Sequence, residues 1–155
     1  MKNKNLSFMT QAAMIAAIYV VLTYIFAPFS FGEVQVRISE ALTILPIFTP
    51  AAIPGLFVGC LIGNILGGAI LPDIVFGSIA TLIGAFFTWK LREQKPVVAT
   101  FPPIISNIII VPFVLRYGYG VTLPIPFMML TVGIGEVISC TVLGLIVYGA
   151  LKKYK

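Results

Sequence analysis

The stretch Gly32-Glu33-Val34-Gln35-Val36-Arg37-Ile38-Ser39-Glu40-Ala41-Leu42-Thr43-Ile44-Leu45-Pro46 decides how this chain is read. It puts Glu33, Arg37 and Glu40 within eight residues, between two strongly apolar segments. An ionisable group near a bilayer core costs at least ~2.5–3.5 kcal/mol unless it has a partner or faces water. Three together point to a polar cavity near one membrane surface. On a helix, Arg37 and Glu40 are three apart and share a face; Glu33 and Arg37 are four apart and share nearly the same one. Such a cluster at the mouth of a helical bundle is a candidate small-molecule site.

Everything around that stretch suits lipid. The 155-residue chain is 59% hydrophobic and 10% charged, with a mean hydropathy of +1.08. Soluble domains carry about 25% charged residues. No water-soluble fold of this size hides so much apolar surface, so the chain reads as one integral membrane domain over 1–155, without room for a soluble catalytic domain. The formal charge of +5 does not imply nucleic-acid binding. The bases fall in three groups: Lys2 and Lys4; Lys90, Arg92 and Lys95; Lys152, Lys153 and Lys155. Each borders an apolar segment, as the positive-inside rule requires of cytoplasmic loops. Both termini are therefore expected in the cytoplasm, with an even number of crossings between successive groups. Cys60 and Cys140 lie inside apolar runs and read as reduced packing residues. The basic, then long apolar, N-terminus reads as a retained first helix, not a cleaved signal.

The expected fold is all-α, six transmembrane helices in one compact bundle. Helix 1 covers about Phe8 to Pro28. A short helix 2 starts near Arg37 and ends by Pro46 or Pro50. Helix 3 runs from about Ala51 to Leu71, helix 4 from Asp73 to Lys90, helix 5 from Val97 to Leu115, and helix 6 from Pro126 to Leu151. Six crossings bring all three basic groups to one side; five would not. Helix 3 carries Gly55, Gly59, Gly63 and Gly67 at spacing four, a strip that lets another backbone approach closely. Packing within the bundle is the expected use. The pairs Ala12/Ala16 and Ala13/Ala17 on helix 1 offer similar small faces, for packing or for a partner.

Catalytic chemistry has little to work with. There is no histidine, so the commonest general base and metal ligand is missing. Two separated cysteines make no metal site, and no Gly-x-x-x-x-Gly-Lys-Ser/Thr loop occurs. The chain reads as a non-enzyme without cofactor. The polar groups inside or bordering the spans are Glu33, Arg37, Glu40, Asn64, Asp73, Asn107, Arg116 and Glu136, all placed to line one cavity open to the outside. Asp73 has a bland alternative as the N-terminal cap of helix 4. Glu136, a mid-span carboxylate, is a functional residue by default. A cavity rich in carboxylates and amides suits a flat ligand with several N–H donors. A guanine-like edge offers two adjacent donors to one carboxylate. Composition does not choose guanine over thiamine, pyridoxine or biotin.

The run 34–46, with Gly-Cys-Leu-Ile-Gly-Asn-Ile-Leu-Gly-Gly (59–68) and Asp-Ile-Val-Phe-Gly-Ser-Ile-Ala-Thr-Leu (73–82), closely resembles the QueT family of queuosine-precursor transporters. The resemblance follows nearly the whole chain, and its Arg-Ile-Ser-Glu block is the specific part. It implies a substrate-binding S component of an energy-coupling factor (ECF) importer in a bacterial plasma membrane. It also implies a six-helix bundle with one substrate pocket, for a 7-deazaguanine such as 7-aminomethyl-7-deazaguanine. The implied partners are a transmembrane coupling protein and two ATPases. Such S components dock through an Ala-x-x-x-Ala motif on helix 1, which Ala12/Ala16 and Ala13/Ala17 both match. The competing readings are a stand-alone facilitator or proton-coupled porter using Glu40 or Glu136, and a structural membrane subunit. Pure packing would not need the charged cluster.

Overall fold

A computed structural model describes residues 2–25, 38–120 and 122–152. All regular elements among them are helical. They are α1 (Lys2–Ile25), α2 (Ile38–Ile47), α3 (Ala52–Leu66), α4 (Leu71–Lys90), α5 (Pro96–Tyr117) and α6 (Ile125–Leu151). From Leu6 onward α1 is long and apolar enough to cross a bilayer, as are α4, α5 and α6; α2 and α3 are shorter apolar helices. The chain is a multi-pass membrane protein, and the expected six helices are present.

Small and polar side chains share the interior with an apolar core that includes Tyr19, Leu56 and Met128. Thr23, Ser39, Thr43, Ser78, Thr81 and Thr88 are buried, while Phe76, Phe87, Ile109, Phe113 and Ile146 face outward. Bilayers permit this inversion, because lipid tails are as apolar as leucine and close packing between small residues drives helix association.

Helix directions follow from the close contacts. A Cβ on Gly55 would meet the Ala12 carbonyl at 2.8 Å, one on Gly59 would meet Tyr19 Cβ at 2.8 Å, and one on Gly63 would meet Thr23 Cβ at 3.3 Å. Numbers rise together on both sides, so α1 and α3 run parallel and the chain between them, including α2, returns across the bundle. Asn64 beside Gly77 and Cys60 beside Thr81 make α3 and α4 antiparallel. Gly84 against Pro103 and Gly118 against Pro72 do the same for α4 and α5, and Gly133 against Ile108 for α5 and α6. The start of α1, the α4–α5 turn and the end of α6 therefore share one end of the bundle. Ile44, Ile47 and Ala99 form a core there with Leu91, Val147 and Tyr148 around it.

Helix 2 differs from expectation in kind. It is a ten-residue 3-10 helix, not an α-helix. At about 2.0 Å per residue it reaches roughly 20 Å, against roughly 15 Å for an α-helix of that length. Pro46 has no N–H to donate, and Thr43 Oγ1 bonds the Glu40 carbonyl at 2.6 Å. With three residues per turn the side chains stack in three ridges. Two are buried, Ala41/Ile44/Ile47 and Glu40/Thr43/Pro46, and the third exposes part of Leu42 and Leu45. The stacking aims Glu40 inward.

Other boundaries shift for local reasons. α3 ends at Leu66, not Leu71, because Gly67 and Gly68 follow and Gly68 takes φ 81°. α5 begins at Pro96 and breaks at Thr100, just before Pro102 and Pro103. α6 contains a π-helical stretch at Val137–Leu143, directly after Glu136. Such stretches recur at functional sites.

Candidate functional site

Three of the chain's five acidic residues, Glu40, Asp73 and Glu136, are at most 2% exposed. Carboxylates are almost never so buried unless paired or hydrogen-bonded. Glu40 stands in the first turn of α2. Its Oε1 accepts a hydrogen bond from the Tyr19 hydroxyl of α1 at 2.6 Å. Glu136 stands mid-way along α6. Its Oε2 accepts from Asn107 Nδ2 of α5 at 3.2 Å and from the Cys140 thiol, one turn on, at 3.3 Å. Asn107 is held by its second amide hydrogen, donated to the Pro103 carbonyl at 2.8 Å. The two carboxylates and the thiol have donor atoms within 4.8 Å of one another. Tyr19 and Asn107 both point donors at these carboxylates, so the group presents acceptors held by neighbouring N–H and O–H groups. Thr23 Oγ1 donates to Ser39 Oγ at 2.8 Å, a second hydroxyl link from α1 to α2.

A second polar group lies between α3 and α4. Asn64 Nδ2 contacts Cys60 Sγ at 3.6 Å, and Thr81 Oγ1 contacts the same sulfur at 3.4 Å. Asp73 Oδ1 and Asn64 Nδ2 both lie against Gly77, where a Cβ would sit 3.2 Å and 3.3 Å from them. Asp73 Oδ2 accepts from the Tyr119 hydroxyl at 2.6 Å. Asn64 Oδ1 is buried with no hydrogen-bond partner. An unmet buried acceptor of this kind costs about 1–3 kcal/mol. Cys60 and Tyr19 share one core cluster with Leu56, which joins this group to the carboxylate group.

The residues expected to line one cavity fall, where described, into two buried groups. Glu40, Glu136 and Asn107 come together in one; Asn64 and Asp73 form the other. Glu33 and Arg37 lie outside the described residues. Arg116 is exposed and joins neither. Asp73 is not the cap of α4: the cap position is Ile70, without a side-chain cap bond, and Asp73 sits inside the first turn. The clefts on the α4–α5 wall are apolar grooves, one lined by Phe76, Ile109 and Phe113, another by Ile83, Phe87 and Ile105. They face where lipid would lie and are lined mostly by apolar side chains, with Tyr117 in the first and Lys90 and Ser106 in the second.

Sequence reasoning missed Tyr19, Thr23, Ser39, Tyr119 and Cys140. A signal existed for the first two. Ala12, Ala16, Tyr19 and Thr23 recur at helical spacing, so the polar pair continues the small face of α1. Cys140, read as packing, bonds Glu136, and neither cysteine is in a disulfide. Of the alanines, Ala16 is buried and Ala12 half-buried against α3, while Ala13 and Ala17 are exposed.

Comparison with known proteins follows the same lines. Residues 9–153 match the family model described as QueT transporter. A relative from Lactococcus lactis subsp. cremoris, named queuosine precursor transporter QueT, is 33% identical over 84 residues. The match covers 53% of this chain and 48% of that relative, so it spans about half of each. No solved structure matches the chain significantly. With a family match running through all six helices and both polar groups, this chain belongs to the QueT transporter family.

Proposed function

We propose that this chain is the substrate-binding S component of an ECF-type importer, and that its ligand is a 7-deazaguanine queuosine precursor such as 7-aminomethyl-7-deazaguanine. The observation that carries the reading is the convergence of Glu40 and Glu136, with Tyr19 and Asn107, inside a membrane bundle. A deazaguanine ring presents adjacent N–H donors that one carboxylate accepts together, and charge-assisted bonds of this kind are the strong ones. Asn64 Oδ1 adds an acceptor and Asp73 a further carboxylate. Arg37 and Glu33 belong to the same proposal by their place beside Glu40 in the chain. The name of the Lactococcus relative supports the ligand class.

The sequence holds no nucleotide-binding loop, so energy comes from partners: a coupling protein and two ATPases. Ala13 and Ala17 are the proposed docking pair, because Ala12 and Ala16 are taken up against Gly55 and Gly59. The end that gathers the basic groups is cytoplasmic, with both termini, in a bacterial plasma membrane. The chain then crosses six times, and its polar groups lie buried, with the Asn64–Asp73 group toward the outer end. The closeness of Glu40 and Glu136 also favours a second reading, a proton-coupled porter working alone. Two measurements test these. Calorimetry on the purified protein should show tight binding of 7-aminomethyl-7-deazaguanine and none of thiamine, pyridoxine or biotin. Affinity purification from cells should bring down a membrane protein and ATPases; a monomer that transports alone in liposomes would favour the porter.

A further inference from the structure

At the end of the bundle away from the basic groups, one side chain ties two turns together. Tyr119 lies between α5 and α6. Its hydroxyl donates to Asp73 Oδ2 at 2.6 Å and accepts from the Ile70 N–H at 3.3 Å. Both partners belong to the α3–α4 connection and the first turn of α4. The two turns also press together: a Cβ on Gly118 would lie 2.8 Å from Ile70 Cδ1. Each carries one positive-φ glycine, Gly68 at 81° and Gly120 at 71°, with nothing within 4 Å of the place a Cβ would take. These are the described residues in a left-handed conformation, which glycine adopts without steric cost. Behind the tie lie Asp73 Oδ1 and Asn64, whose Oδ1 is buried and has no partner. The grooves on the neighbouring α4–α5 wall are apolar. A polar solute passing between these two turns to reach Asn64 has to part them.

We infer that Tyr119 is a latch: its hydroxyl holds the α3–α4 and α5–α6 turns closed over the Asn64–Asp73 group, and the break of that tie is the opening that admits ligand. The ligand arm of the idea rests on the binding function proposed above; the structural arm does not.

The test is Tyr119→Phe in the full chain, reconstituted in nanodiscs. The change removes one oxygen from a ring that is 40% exposed, so the bundle should fold. Without ligand, hydrogen exchange should speed up about tenfold in peptides covering Gly67–Asp73 and Tyr117–Gly120, and stay unchanged in α1. Unchanged exchange at both turns overturns the latch. With 7-aminomethyl-7-deazaguanine as probe, stopped-flow should show association and dissociation both about tenfold faster, with little change in Kd. Faster dissociation alone would mean a direct grip on the ligand and would also overturn the latch. If wild-type protein does not bind the probe, the binding reading fails and the exchange result still decides the latch. Should Tyr119→Phe not fold, Asp73→Asn carries the exchange test, since a neutral acceptor weakens the tie.

Discussion

A methyl group on Gly59 is the smallest change that reaches the carboxylate group from outside it. Its Cβ would lie 2.8 Å from Tyr19 Cβ and 3.1 Å from both Ala16 Cα and the Ala16 carbonyl oxygen. Optimal carbon contacts start at about 3.5 Å, so α1 and α3 must separate by roughly 0.5 Å or more. Two of the three atoms are backbone, and no rotamer change relieves them. Overpacking of this kind costs about 1–3 kcal/mol of stability. The same separation draws the Tyr19 hydroxyl away from Glu40 Oε1. The bond is 2.6 Å now; half an ångström more takes it past the ~2.5–3.0 Å range of such bonds. Hydrogen bonds to charged groups contribute about 1.5–3 kcal/mol, so ligand affinity should fall at least about tenfold. Unfolding of Gly59→Ala in detergent reads the first effect, and calorimetry with 7-aminomethyl-7-deazaguanine reads the second. Gly149→Ala is the control, with nothing within 4 Å of its Cβ. Wild-type stability for Gly59→Ala would refute the close contact. Lost stability with unchanged affinity would refute the link from α1 to the site.

Three further outcomes are expected. Glu40→Gln should keep the Tyr19 bond through its remaining oxygen but replace the other acceptor with a donor, weakening deazaguanine binding by about 2–4 kcal/mol in calorimetry; wild-type affinity in a folded variant would remove Glu40 from the site. Ala13→Trp or Ala17→Trp should leave ligand affinity nearly unchanged and abolish uptake in cells carrying the coupling machinery; loss of both would mean the face packs internally. Gln94→Cys should resist impermeant thiol reagents in intact cells while Thr122→Cys reacts, and the reverse pattern would sink the proposed orientation.

Much of the fold was legible because lipid simplifies the reading. Hydropathy and the basic groups located α1, α4, α5 and α6 to within a few residues, since long apolar runs with charged ends have few other uses. Helix 2 was harder. Its ten residues look too short to return across the bundle as an α-helix, and nothing local announces 3-10 geometry. What forces the return is the parallel packing of α1 on α3, a contact between segments some forty residues apart. The glycine strip on α3 announced a close approach; its partner, Ala12 to Thr23, became visible only in three dimensions.

The site was legible as a list of residues and not as an arrangement. Rarity marked Glu40, Asp73 and Glu136, because an ionisable group in a span needs a reason. Spacing cannot say which of them meet, since they sit on α2, α4 and α6. It also undervalued weak donors. Tyr19, Tyr119 and Cys140 look apolar enough to pack anywhere, yet each donates to one of the three buried carboxylates. This has a functional consequence. Glu40 is held by α1, the helix that carries the proposed docking face, and Asp73 by the turn before α6. Glu136 is held from α5 and from its own helix beside the π-helical stretch. Movement of α1 against a partner and parting of the Tyr119 turns would therefore reach different carboxylates. Entry and release of a ligand can then be governed separately within one small bundle.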